Sequence, residues 1–317
     1  MRNERADKMK LAISVGDING VGIEIALKAH DEICKFCEPV YFINRELLNQ
    51  AAEISGLNIP ENFKIYEVGK NFKIKPGKVS KKSGKFSFLS FTKAVEQCKK
   101  GEFDAVCTLP INKEAWKKAG IKFVGHTDYL SVKFHKNAIM MLGCDELFTA
   151  LFTDHTALKK VSSMIKTEKF AKFLLNLYKC TKFEKIGVLS FNPHASDNGV
   201  IGGSEEKKIK KAINKANNFL QHEIFFGPLV PDTAFTSQNL KNFNRIAAIY
   251  HDQGLTPLKS LFFEKSINVS LNLPIIRTSV DHGTAFDIAY KGVAKISSFI
   301  EAASWAVKLY ETKNLKN

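Results

Sequence analysis

The chain has 317 residues, 44% of them hydrophobic, and a formal charge of +15, which is enough apolar material for a sizeable core and more naturally two domains than one. The charge does not read as nucleic-acid binding: only Arg2, Arg5, Arg45, Arg245 and Arg277 among 47 basic residues are arginine, the lysines are scattered, and no binding motif accompanies them. The charged start MRNERADKMK and the short apolar run Leu11 to Val15 fit neither a signal peptide nor a membrane span, so the chain reads as cytoplasmic with no membrane partner.

In chain order, strands are expected at Leu11 to Val15, Val40 to Ile43, Lys64 to Val68, Asp104 to Leu109, Ala138 to Leu142, Thr149 to Thr153, Lys185 to Phe191, Arg245 to Tyr250 and Ile267 to Leu271. Helices are expected at Gly22 to Cys37, Phe86 to Lys99, Thr167 to Lys179, Glu205 to Leu220 and Ile296 to Lys313. Short β-rich runs alternating with helical patterns give an α/β class with parallel sheet. The lysine-rich stretches Lys70 to Lys85 and Glu205 to Asn218 read as a solvated loop and a solvated helix face. Cysteines stand at 34, 37, 98, 107, 144 and 180. The single CxxC, Cys34 and Cys37, shares a helical stripe with Ile23, Leu27 and Ile33 and reads as core packing in a reduced, intracellular chain.

Three histidines each sit just past a predicted strand: His155 after FTALFTD, His194 after KIGVLSFNP and His251 after RIAAIY. Open α/β sheets bind ligands at such strand ends. Three neutral imidazoles could hold a divalent ion and leave a position for substrate, although the wide spacing gives no local signature and each could equally be a hydrogen-bonded structural residue. SVGDINGVGIEIALKAH (Ser14 to His30) is strand, glycine-rich turn and helix; it matches neither GxGxxG nor a P-loop, and is either an anion cradle or a tight turn placing Asp17 at a strand end. GHTDYL (Gly125 to Leu130) opens a helix, with Thr127 as its N-cap and His126 before it. Arg277 suits bidentate capture of phosphate or carboxylate. After it, DHGTAFDIA (Asp281 to Ala289) is expected to turn into a helix capped by Thr284.

Taken together, GDINGVGIEI, GHTDYL, NPHASDNGVIGGSEE, GPLVPDTAF, YHDQGLTPLK and LPIIRTSVDHGTAFDIA resemble, in order along the chain, the 4-hydroxythreonine-4-phosphate dehydrogenase family of pyridoxal 5'-phosphate biosynthesis. HGTAFDIA also resembles the isopropylmalate and isocitrate dehydrogenases. The resemblance implies their two-domain fold with mostly parallel sheets, an active-site cleft between the domains, and a nicotinamide site without a Rossmann fingerprint. One domain would combine residues 1–120 with 265–317, and the other, residues 121–264, would bind metal and form the dimer.

By the same resemblance His155, His194 and His251 are the metal ligands, for one zinc, magnesium or cobalt ion per site, with His155 supplied by one subunit of a homodimer and His194 and His251 by the other. Substrate contacts fall on His126, Thr127, Lys259, Asn268 and Arg277, and the region of Asp281, His282, Gly283 and Asp287 lies against NAD or NADP. Asp232, Asp252 and Lys259 are the candidates for general base. The reaction implied is oxidation of 4-phosphooxy-L-threonine at C3 and decarboxylation to 3-amino-2-oxopropyl phosphate. Departures such as GDINGVGIEI without the family's usual prolines, Asp128 where glutamate is usual, and FDIAYKG leave phosphothreonate or phosphoerythronate as the alternative substrate.

Overall fold

A computed structural model describes residues 8–314. The chain divides into two compact units, one made of the chain up to Lys136 with Ile267–Val269 and the chain from Leu273 on, the other of Asn137–Ser266 with Ser270–Asn272.

The first unit runs β1 (Lys10–Ser14), α1 (Gly22–Cys34), β2 (Glu38–Phe42), α2 (Arg45–Ser55), β3 (Lys64–Tyr66), α3 (Lys81–Lys100), β4 (Ala105–Thr108), α4 (Lys113–Lys118) and α5 (His126–Phe134). The second runs β5 (Ile139–Cys144), β6 (Leu147–Leu151), α6 (Leu158–Met164), α7 (Thr167–Thr181), β7 (Ile186–Leu189), a 3-10 segment Pro193–Gly199, α8 (Glu205–Leu220), β8 (Phe225–Leu229), α9 (Pro231–Ala234), α10 (Ser237–Leu240), β9 (Arg245–Ala248) and α11 (His251–Phe262). β10 (Ile267–Leu271), β11 (Ile276–Val280) and α12 (Ser297–Asn314) follow.

In the first unit the strand order is β3-β2-β1-β4-β11-β10. β2 on β3, β1 on β2, β1 on β4 and β4 on β11 are all parallel. Parallel strands are covered on both faces and so read as near-continuous apolar runs; Leu11 to Ser14 and Ala105 to Thr108 are buried at every residue. In the second unit the order is β5-β6-β9-β7-β8, with β6 on β9, β9 on β7 and β7 on β8 parallel and β5 on β6 antiparallel. Its core gathers Leu142, Leu147, Leu151, Leu189, Ala248 and Leu258. The α/β class with mostly parallel sheet read from the sequence is the fold observed.

Several expectations shift. α2 was not expected, although Asn44 caps it by accepting from Leu47 N and Gly56 closes it in a left-handed conformation. α3 begins at Lys81, so the last five residues of the presumed solvated loop are its first turn; Ser80 accepts from Ser83 N and fixes that start. No helix follows Thr284: the chain from 281 to 296 forms only bends and turns, with Ile288 N on Ala285 O and Lys291 N on Ile288 O, and it also contacts the β1–α1 turn. There Val21 N donates to Thr284 O at 3.1 Å and Tyr290 donates its hydroxyl to Ile18 O at 2.6 Å. Cys37 lies beyond the end of α1, buried, with its thiol on Ile33 O at 3.6 Å. Among the described residues no helix is long and apolar enough to cross a membrane.

Candidate active site

Two sets of chemically competent side chains stand out, one in each unit. In the first unit β11 places Arg277 beside β4, and the guanidinium is 2% exposed. Its Nη2 donates to Thr108 Oγ1 at 2.7 Å and to His126 Nδ1 at 3.1 Å, and Nη1 reaches Asn268 Oδ1 at 3.4 Å. Burial pulls the arginine down to about 10, with the Cys107 thiol opposing; it remains a cation at neutral pH.

His126 is the first residue of α5, whose N-cap is Gly125 in extended backbone. Thr127 is therefore inside the helix and not its cap, and Asp128 accepts from Val124 N at 3.1 Å. Aromatic rings wall the imidazole in, Phe91 at 4.5 Å and Trp116 at 5.7 Å between centroids. Trp116 is itself held by Ser87, Nε1 to Oγ at 2.8 Å. Burial first, and the neighbouring guanidinium second, hold His126 well below the usual imidazole range. Its Nε2 is buried with no hydrogen-bond partner. A buried donor in that condition costs free energy, and a ligand oxygen would relieve it.

The β1–α1 turn uses its own amides internally: Gly20 N donates to Asp17 O at 2.9 Å and Asn19 N to Asp17 Oδ1 at 3.0 Å. These contacts make GDINGVG a tight turn that places Asp17 past the end of β1. Gly16 has φ +71°, and a Cβ there would lie 2.2 Å from Pro110 O. Asp17 is fully buried, and its carboxyl is pushed up to about 6 by burial, against the Asn19 amide and the Ser83 hydroxyl. In the irregular segment, Asp281 N donates to Ser298 Oγ at 3.4 Å, His282 Nδ1 lies 3.0 Å from Gly283 O with Nε2 buried and unpartnered, and Asp287 is exposed.

In the second unit the ends of β6 and β9 bring His155 and His251 together, with ring centroids 5.8 Å apart and planes tilted by 38°. Asp252 Oδ1 is 2.8 Å from His251 Nδ1, a carboxylate contact of the kind that orients an imidazole. Thr153 donates to Ile249 O at 2.8 Å, tying the two strand ends. Gln253, which sequence reasoning passed over, accepts from Ile249 N at 2.8 Å and donates to Ser190 O at 2.7 Å, so it also ties in β7.

His194 begins a turn in which His194 to Asn198 all have positive φ. Glu206 holds that turn, accepting from Asn192 N at 2.6 Å and Ser196 Oγ at 2.7 Å. Among the described residues no three His, Cys, Asp or Glu side chains are gathered to hold a metal, so His194 is not brought to the other two. Within this chain the rings of His155 and His251 are neighbours. Lys259 is half-buried on α11 with Nζ 5.5 Å from the Phe263 ring, and Asp232 is exposed on α9.

The model of the pyridoxal phosphate biosynthetic protein PdxA family matches residues 35–306. The chain is 65% identical over 95% of its length to a 4-hydroxythreonine-4-phosphate dehydrogenase of Campylobacter fetus subsp. fetus, covering 98% of that protein, and 55% identical over 96% to one of Sulfurimonas denitrificans, covering 99%. Among solved structures, a 4-hydroxythreonine-4-phosphate dehydrogenase from Burkholderia phymatum superposes with a TM-score of 0.80 at 32% identity, over 95% of this chain and 98% of that one. With most of its length matched by the family model and by these relatives, the chain belongs to the pyridoxal phosphate biosynthetic protein PdxA family.

Proposed function

We propose that the chain oxidises 4-phosphooxy-L-threonine at C3 with NAD or NADP and decarboxylates the β-keto acid to 3-amino-2-oxopropyl phosphate, a step of pyridoxal 5'-phosphate biosynthesis. The observation that carries the reading is the buried Arg277 guanidinium beside neutral His126, a cation prepared for an anionic substrate group. Family membership and the printed names of the relatives support it. Arg277, with Asn268, takes the phosphate or carboxylate; His126, whose Nδ1 accepts from Arg277, carries its proton on Nε2 and donates it to a substrate oxygen, and Thr127 adds its hydroxyl.

His155 and His251 fit a divalent ion by their separation and by the Asp252 contact, with His194 as third ligand, in a homodimer whose subunits share the sites. These histidines would hold zinc, magnesium or cobalt, which would supply Lewis acidity at the substrate oxygen, and a bound nicotinamide would supply the hydride acceptor. The loop from Asp281 to Asp287 fits the cofactor through the unpartnered Nε2 of His282 and the open backbone at Gly283. Asp252 is committed to orienting His251, which leaves Lys259 and Asp232 as the groups to take the proton.

The test is the absorbance of reduced nicotinamide on mixing the protein with 4-phosphooxy-L-threonine, NAD or NADP and a divalent metal, with His251→Ala as control. Metal-dependent reduction that the mutant loses supports the reading. Reduction with phosphothreonate alone moves the activity to sugar acids, and no reduction with either substrate overturns it.

A further inference from the structure

Away from both sets, the first unit holds a cavity of about 430 Å³ between the chain after β3 and the first turns of α3, within the roughly 300–1,000 Å³ of small-molecule sites. Its walls are apolar: Phe72 and Phe86 meet edge to face with centroids 6.0 Å apart, and Leu89 extends the surface. Lys70, Lys82 and Lys85 rim it, and no acidic residue lines it. Lys82, Lys85, Phe86 and Leu89 fall at the i, i+3, i+4, i+7 spacing that puts them on one helix face.

The opposite wall is braced from α2. Gln50 donates through Nε2 to Asn71 Oδ1 and Phe72 O, each at 3.2 Å, and accepts from Ile74 N at 2.7 Å. At Gly69 a Cβ would stand 3.0 Å from the Phe86 ring, so bare backbone lets the ring form the floor. The cavity is therefore built into the folded chain. The first turn of α3 contains no acid, and lysines there add positive charge to the end of the helix dipole that is already positive. An anion at the rim removes that conflict.

We propose that this cavity is a binding site for a small flat aromatic ring carrying a phosphate, the ring against Phe72 and Phe86 and the phosphate among Lys70, Lys82 and Lys85. Two aromatic walls select a planar group, since rings favour edge or offset contact with rings. Three ammonium groups with no lining carboxylate select a dianion over a neutral ring. The proposal does not rest on the catalytic reading, and its test reads binding instead of turnover.

Pyridoxine 5'-phosphate is a probe of this class that lacks an aldehyde and so forms no imine with lysine. Equilibrium dialysis against the full chain, alongside pyridoxine and inorganic phosphate, should show saturable binding of the phosphorylated ring only. Binding should persist in Arg277→Lys, which separates this site from the guanidinium beside His126. It should weaken at least about tenfold in Lys82→Ala/Lys85→Ala, where two charged contacts go, and also in Leu89→Trp, which fills the cavity. The lysines are exposed, so the double variant tests the site even if the tryptophan variant fails to fold. Absence of saturable binding, equal binding of inorganic phosphate, or loss in Arg277→Lys with none in the lysine variant would each overturn the proposal.

Discussion

Arg277 donates from Nη2 to His126 Nδ1 across 3.1 Å. A guanidinium has no acceptor, so the imidazole must accept at Nδ1 and carry its proton on Nε2, the atom left buried and without a partner. One contact thus sets both the tautomer and the direction in which the histidine can donate.

Arg277→Lys is expected to raise the KM for the phosphorylated substrate by about 10–100-fold with a smaller change in kcat. An ammonium cannot span Thr108, His126 and Asn268 together, and loss of a hydrogen bond to a buried charge costs about 1.5–3 kcal/mol. Steady-state kinetics on the variant decide it, and an unchanged KM would remove Arg277 from substrate binding.

Asp17 gives stability an opposite pH dependence from that of an ordinary paired carboxylate. Its carboxyl is raised by burial from an ordinary 3.8 to about 6, so the folded state binds the proton more tightly than the unfolded state. The stabilisation is fully present below about 4 and is lost as pH rises through about 6. Asp17→Asn removes the penalty at high pH while keeping an acceptor for Asn19 N. Urea unfolding at pH 8 should find the variant more stable, by on the order of 3 kcal/mol at most, with the difference shrinking as pH is lowered towards 4. A gap that widens on acidification would contradict the assignment.

Asp252→Asn is expected to weaken divalent-metal binding by about 10–100-fold while leaving the fold intact, because the carboxylate contact at Nδ1 fixes the orientation of the His251 ring. Zinc titration calorimetry on the metal-stripped protein reads this directly. Unchanged affinity would mean that His251 does not ligate through Nε2.

The buried parallel strands were legible because strands covered on both faces are mostly apolar, as Leu11 to Val15 and Ala105 to Thr108 are apart from Ser14 and Thr108. What stayed hidden was set by partners far along the chain. Asp281 to Ala289 has the local look of a loop running into a helix, but it forms turns with positive φ at Ala285 and contacts the distant turn at Ile18 to Val21. His126 and Arg277 were legible as residues suited to binding, but the rings of Phe91 and Trp116 that keep the imidazole neutral come from α3 and α4, and nothing in GHTDYL points to them. The exceptions were local: Asn44 and Gly56 bracket α2 in a recognisable way.

The discontinuity of the first unit has a consequence for the order of folding. β11 lies parallel against β4, although the whole second unit separates them in the chain. A ribosome delivers nearly all of the second unit, residues 137–266, as one stretch, so that unit can close once Asn272 has emerged, while β4 waits with one side unpaired for the chain beyond Leu273. Such a long loop closure is slow, and a waiting strand edge is the hazard of slow parallel sheets. Arg277 travels on that late strand. The pocket that would hold the substrate anion is thus completed last, and a chain that stalls before Ile276 keeps its histidine pair while lacking the guanidinium.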